Sequence, residues 1–316
     1  MDSRPIRHTL LGLSFLSLVA AAQGGVALEG KDAKATVTTC PPDTLTWVDL
    51  KSSVTFDSDY NRGHNAHGYS WNKEIELEHR IPLHLSDWPN VDCGHWYLRL
   101  GADYTRWDFG NSGGLPVPNT LQGISGILAL EYVVQDSAVL MLETRPGAYF
   151  EHKVRGNSFD APTLLYAPIY YHQSGDSSFA LVAGAYYSDL LKYDVLPAGG
   201  FIWRTGKVTA RVIVPSPRIT YQATDQLAFY VGGEITAGGF STDTHNVDRK
   251  PSLNHAAVQY SEYRAGAGVS YKIHQCTLDV AAGYAFQRKF DFFRAEEGFP
   301  TNAGAPYVQV ELKTGF

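Results

Sequence analysis

The chain has 316 residues, 44% of them hydrophobic, with 26 basic against 32 acidic side chains and a formal charge of -6. A mildly acidic balance without a basic run argues against nucleic acid as a partner. Beyond residue 22 no apolar run is long enough for a membrane-spanning helix, which leaves a large soluble β protein or a protein that crosses a membrane with strands. The 30 Gly, 19 Tyr, 15 Phe and 6 Trp favour the second, because aromatic girdles and small inward residues suit a barrel in lipid.

Arg4 and Arg7 precede an apolar run from Leu10 to Ala22 that closes on Ala20-Ala21-Ala22. A charged start, an apolar middle and a small-residue end predict a cleaved signal peptide over 1–22, and hence export. A polar periplasmic tail is expected over 23–44 and a barrel over 45–316. The first strand is read over 45–57.

Over 69–83 the alternation is clean. Lys73, Ile75, Leu77, His79, Ile81 and Leu83 share one face, against Asn72, Glu74, Glu76, Glu78 and Arg80 on the other. Side chains on a strand point alternately to its two faces, and carboxylates spaced two apart cannot face hydrocarbon, so that face must be lumen or solvent. The stretch 96–109 repeats the arrangement, with Tyr97, Arg99, Gly101, Asp103 and Thr105 inside. Further strands are expected over 121–134, 138–151, 163–172, 179–187, 195–204, 208–214, 218–222, 227–239, 258–273, 277–290 and 306–316, fourteen in all.

The connections sort by parity. Those at 135–137, 173–178, 205–207, 223–226 and 274–276 are tight; those at 59–68, 110–120, 152–162, 188–194, 241–257 and 291–305 are mostly long. Short turns on one rim and long loops on the other are expected of a transmembrane antiparallel up-and-down β-barrel with both ends on the short-turn, periplasmic side. Two connections break the pattern: 84–95 is long for its rim and Pro215–Pro217 is short. The prolines have no N–H for a ladder, so a reversal is read there. A bulge instead would reduce the count to twelve.

Projection of the alternation places Glu74, Glu76, Glu78, Arg99, Glu143, Arg145, Arg211, Arg218, Glu234 and Arg264 on the inner face. They suit either an ion-pair network that stiffens and fills the bore or a hydrophilic pore whose charges set selectivity. An Arg218–Glu234 pair across neighbouring strands is expected. The loop histidines, His64 and His67 near Asp59 and His245 and His255 near Asp243 and Asp248, are read as solvated. No catalytic, cofactor or metal site is assigned.

In the closing strand Val308, Val310, Leu312 and Phe316 share the apolar face. This resembles the closing strand of bacterial outer-membrane barrels, which implies membrane lipid and the barrel-assembly machinery as partners. The elements Leu196-Pro-Ala-Gly-Gly, Pro215-Ser-Pro-Arg-Ile-Thr-Tyr221 and Phe229-Tyr-Val-Gly-Gly-Glu234, with Gly238-Gly-Phe240, resemble a family of outer-membrane β-barrels of Gram-negative bacteria known as a domain of unknown function. That resemblance covers about residue 138 to the end; it implies fold and location and no activity. The expected function is a porin-like pore or binding protein for small solutes. The alternatives are a lipid or peptide hydrolase at the outer rim and a plugged structural or adhesive barrel.

Cys40, Cys93 and Cys276 are too few for a disulfide scaffold, and all fall on the periplasmic rim, an oxidising compartment. A Cys40–Cys93 bond is expected to tie down the tail, with Cys40–Cys276 as the rival pairing. Non-reducing peptide mapping of the exported protein should recover Cys40 linked to Cys93; both as free thiols would contradict the bond.

Overall fold

The computed structural model describes residues 46–60, 67–83, 95–111, 116–135, 138–243 and 255–315. The expected signal peptide and tail, Cys40, Cys93 and Phe316 lie outside them. Fourteen strands form the wall: β1 (Thr46–Asp59), β2 (His67–Leu83), β3 (His95–Asn111), β4 (Thr120–Gln135), β5 (Ala138–Thr144, resumed at Gly147–Phe150), β6 (Thr163–Ser174), β7 (Ser177–Tyr187), β8 (Val195–Thr205), β9 (Val208–Val214), β10 (Arg218–Gln222), β11 (Leu227–Ser241), β12 (Ala257–Ile273), β13 (Cys276–Phe292) and β14 (Ala305–Gly315). Each pairs antiparallel with its neighbours in sequence, and β14 returns to β1 with Leu50 opposite Leu312, so the sheet closes. Closure leaves no open edge.

Local chemistry sets the ends of the strands. Two-residue turns join β6 to β7, β8 to β9 and β12 to β13. Their first residues, Gly175, Gly206 and His274, have φ near +55°, the left-handed geometry that matches the twist of a tight hairpin. Pro215–Pro217 is a reversal: Val208 to Arg211 pair with Tyr221 to Arg218. The count is therefore fourteen, and the twelve-strand alternative is excluded.

The expected continuous strand over 138–151 is broken. Pro146 interrupts it, and the chain beyond leaves β6 and crosses the barrel mouth. Gly147 to Phe150 still pair with β4, but Phe150 also bridges Ser241 of β11, and Glu151 N–H donates to Ser241 O at 3.0 Å. Strands β6 to β10 stop below this height, at Thr163, Tyr187, Val195, Val214 and Arg218. Above them a narrower ring is completed by 147–150. The connections expected as plain loops also carry short strands, Phe159–Asp160 on Gly147–Ala148 and Glu297–Pro300 on β13.

That narrow ring is solid. Trp107 and Phe109 of β3, Tyr260 of β12 and Phe290 of β13 meet with ring centroids 4.8–5.0 Å apart, joined by buried Leu121, Phe240 and Phe292. Aromatic pairs at such distances add about 0.5–1.5 kcal/mol each beyond area burial. Below the cap, Val139 and Met141 at the start of β5 form an apolar stretch of inner wall with Leu164, Tyr186 and Leu196 of β6 to β8, and Leu191 of the 188–194 connection folds onto them.

The outer face is apolar as well. Leu50, Ile75, Leu77, Leu100, Ile124, Leu128, Leu142, Leu165, Val231, Val280 and Val310 are exposed, while Glu78, Arg99, Glu131, Glu262 and Arg264 are buried inside. The connection 188–194 packs against β11 so closely that a Cβ at Gly239 would lie 2.1 Å from the Leu190 carbonyl oxygen. Gly239→Val should therefore cost about 1–3 kcal/mol by overpacking, read as a lower temperature for loss of the compact gel mobility. Gly156→Ala, whose added Cβ meets nothing within 4 Å, should leave that temperature unchanged.

Candidate functional site

The inward charges fall into two clusters, and several of their bonds cross the lumen rather than follow the wall. Glu234 on β11 accepts from Lys51 Nζ on β1 at 2.7 Å, passing over β12, β13 and β14. Its other oxygen meets Arg264 Nη2 on adjacent β12 at 2.8 Å. Arg264 also donates to Ser53 Oγ of β1 at 3.1 Å and Thr236 Oγ1 at 3.2 Å. Above it, Glu262 accepts from Thr55 Oγ1 at 2.7 Å, Tyr260 OH at 2.7 Å and Ser70 Oγ at 3.2 Å. The Lys51–Glu234 bond is a chord over β12, β13 and β14 that draws this arc of the wall together.

The second cluster lies against β2 to β5. Arg99 Nε donates to Glu78 Oε2 at 2.6 Å, and Arg99 Nη2 stands 3.6 Å from Glu143 Oε2. Arg145 joins Glu143 at 2.7 Å to Glu76 at 2.9 Å, with Asp103 at 3.9 Å. Arg80 bonds both oxygens of Glu131, at 3.0 and 3.1 Å, and its guanidinium stands over Tyr97. Glu74 faces Lys51 in the β1–β2 register, where it joins the two clusters. Asp49, Glu311 and Lys313 add a smaller group between β1 and β14.

Burial decides what these bonds are worth. An isolated ion in a low-dielectric interior is costly, and a pair compensates only with good geometry and its remaining polar atoms satisfied. Glu234 meets that condition with a cation on each oxygen, so loss of its carboxylate strands the buried Lys51 and Arg264, at about 3–5 kcal/mol.

Of the residues singled out from the sequence, Glu76, Glu78, Arg99, Glu143 and Arg145 meet in one cluster and Glu234 and Arg264 in the other. Glu74 lies between them. The expected Arg218–Glu234 pair is not formed. In the β10–β11 register Arg218 faces Gly232, and its Nη2 lies 3.5 Å from Asp279 Oδ1 on β13. Glu234 is claimed by Lys51 and by Arg264, its direct neighbour on β12. Arg211 stands apart from both clusters. Val308, Val310 and Leu312 are exposed on the outer face, and the thiol of Cys276 donates to Thr314 Oγ1 at 3.4 Å on the short-turn rim.

Sequence reasoning missed the aromatic cap and Lys51. Trp107 and Phe109 continue the inward phase of Arg99 and Asp103, so their direction was readable. Among the described residues, two groups bring three ligand-type side chains within 4.8 Å: Glu74, Glu76 and Asp103 inside, and Glu151, His152 and Asp243 at the long-loop rim. In the first, Arg145 already supplies the countercharge. In the second, Arg155 lies 3.4 Å from Asp243, and His152 contacts the two carboxylates at 3.5 Å. The hydroxyl–imidazole contact between Thr46 Oγ1 and His79 Nδ1, 2.8 Å, is exposed, and on β2 His79 shares the outward face of Leu77. That is no place for a nucleophile working in a cleft.

No protein-family model matches the chain, and no curated protein matches it. Similar solved structures include an outer membrane channel from Pseudomonas putida F1, at 11% identity and TM-score 0.45, covering 91% of this chain and 100% of that one. Others are the P. putida toluene transporter TodX, at 8% identity and TM-score 0.38 over 87% of this chain and 91% of that one, and LpxR from Salmonella typhimurium, at 10% identity and TM-score 0.38 over 85% and 100%. Likenesses at this level assign nothing to the present chain.

The cross-lumen bond is open to a double-mutant cycle. Lys51→Met and Glu234→Gln should couple by about 1 kcal/mol or more, whereas Arg218→Met and Glu234→Gln should add to within about 0.5 kcal/mol. Guanidinium titration of the barrel in liposomes measures both.

Proposed function

We propose that the chain is an integral outer-membrane β-barrel that takes up small solutes against the apolar inner wall of β5 to β8, and that the lumen is closed to ions at rest. The observation that carries this reading is the inverted distribution of side chains. Large apolar groups are exposed around the outer face and charges are buried within. In water so extensive an apolar surface would drive association; in lipid it is the favourable arrangement, and closure satisfies every strand without an edge.

The resting closure follows from the lumen contents. Lys51 and Glu234 meet across it, and the aromatic cluster fills the narrow ring at the long-loop end. The charges therefore serve as cross-braces before they serve as a selectivity filter. What remains for a solute is the side of the lumen lined by Val139, Met141, Leu164 and Leu196, which favours partly apolar molecules over hydrated ions.

Planar-bilayer recording tests the reading. The purified barrel should insert and remain mostly silent, and Lys51→Ala with Glu234→Ala should give frequent openings of larger conductance. Steady large openings of the unaltered protein would contradict the closed lumen. Failure of the protein to enter liposomes, in parallel flotation, would contradict the location.

A further inference from the structure

Arg211 has no counterion. Arg80, Arg99, Arg145 and Arg264 each bond a carboxylate, and Arg288 is held by Phe56 O, Ser58 Oγ and Gly68 O. Among the described residues none offers a carboxylate to Arg211, and its Nε is buried with no hydrogen-bond partner. The ionisable groups close enough to act on it are the phenol of Tyr166 and a second cation, Arg218. The two arginines stand directly opposite each other across the β9–β10 hairpin.

Like charges facing each other across strands destabilise a sheet, and the buried Nε of Arg211 adds an unsatisfied polar atom. The native contacts relieve little of this. Arg218 reaches Asp279 only at 3.5 Å, with a third of its side chain exposed, and its guanidinium lies 3.4 Å over the Tyr230 ring. Two guanidiniums thus stand together with one carboxylate, and only Arg218 reaches it. Beside them, Ile202 faces Arg211 in the β8–β9 register, and Ile202, Val182, Ala180 and Ile213 form a buried apolar cluster.

We propose that this hairpin is the recognition site for a soluble monoanionic amphipath: a carboxylate held by Arg211 and Arg218, with an apolar body against the half-buried Tyr166 and Tyr171, which cover Ile202, Val182 and Ile213. The planar fork of a guanidinium matches a carboxylate through two parallel N–H donors. One added negative charge balances the pair, and the apolar wall beside it excludes a hydrated inorganic ion. The assignment deepens the proposed function and rests on its solute-accessible lumen, but it is tested at equilibrium in neutral detergent, so it stands or falls separately from conductance.

The probe is 4-phenylbutyrate, with the neutral 4-phenylbutanol as control, followed by isothermal calorimetry. The acid should bind saturably at one per barrel and the alcohol far more weakly. Arg211→Gln should weaken the acid at least about tenfold, the loss expected for a charge-assisted bond, and leave the alcohol unchanged. Without ligand, Arg211→Gln should raise the melting temperature, where Arg264→Gln should lower it; this keeps the test informative about folding. Equal affinity for acid and alcohol, or full affinity in folded Arg211→Gln, would overturn the site. Displacement of the acid by phosphatidylglycerol nanodiscs but not by phosphatidylcholine ones would overturn the soluble ligand in favour of a lipid headgroup.

Discussion

Glu234 is where the barrel is drawn in on itself. One of its oxygens holds Lys51 from across the lumen and the other holds Arg264 on the adjoining strand, and Arg264 in turn reaches Ser53 beside Lys51. The wall between β11 and β1 is thereby braced at two points, at 2.7 and 3.1 Å. A ring of this many strands has no intrinsic reason to be narrow, since diameter grows with strand number. Here the inward charges on one arc pull it together, and desolvation makes the bonds hard to exchange for water.

The rest of the interior follows from that contraction. With β11 to β14 and β1 to β4 held close, their upper ends enclose a space that Trp107, Phe109, Tyr260 and Phe290 fill at van der Waals contact. The chain after Pro146 crosses from β4 to Ser241 and lids that space on its remaining side. Strands β6 to β10 are excluded from the braced arc, and the inner faces of β6 to β8 carry Leu164, Val182 and Ile202. The lumen is therefore two-sided, with one side solid and charged and the other apolar with Arg211 set in it. A solute site belongs to the second side.

Much of this architecture is legible in the sequence. Glu74, Glu76 and Glu78 on alternate positions fix the inward phase of β2, and Pro215 and Pro217 mark a reversal because neither can donate to a ladder. The partners of the charges were not readable. Strand register relates only neighbours, whereas Lys51 and Glu234 meet through the curvature of the whole ring, a property of no local stretch. The Arg218–Glu234 expectation went astray for that reason, since it counted adjacent strands and ignored the chord. The apolar wall was obscured differently. In β6 both faces carry apolar side chains, so alternation there loses its contrast, and composition does not separate aromatics of the outer girdles from those that fill the cap. The Pro146-Gly147 pair was a breaker signal inside an otherwise good strand, and it marks where the chain turns inward.

The claim beneath all of this is that the apolar face looks out to lipid and the charged face in. Spin-label accessibility along β4 in liposomes reads it directly, because oxygen concentrates in hydrocarbon and a nickel chelate does not. Single cysteine replacements from Ile124 to Leu130 alternate between exposed positions, such as Ile124, Leu128 and Leu130, and buried ones, Ser125, Ile127 and Ala129. Oxygen accessibility should peak at 124, 128 and 130 and be low at 125, 127 and 129. Uniform accessibility to the nickel chelate, or peaks at the odd positions, would contradict it.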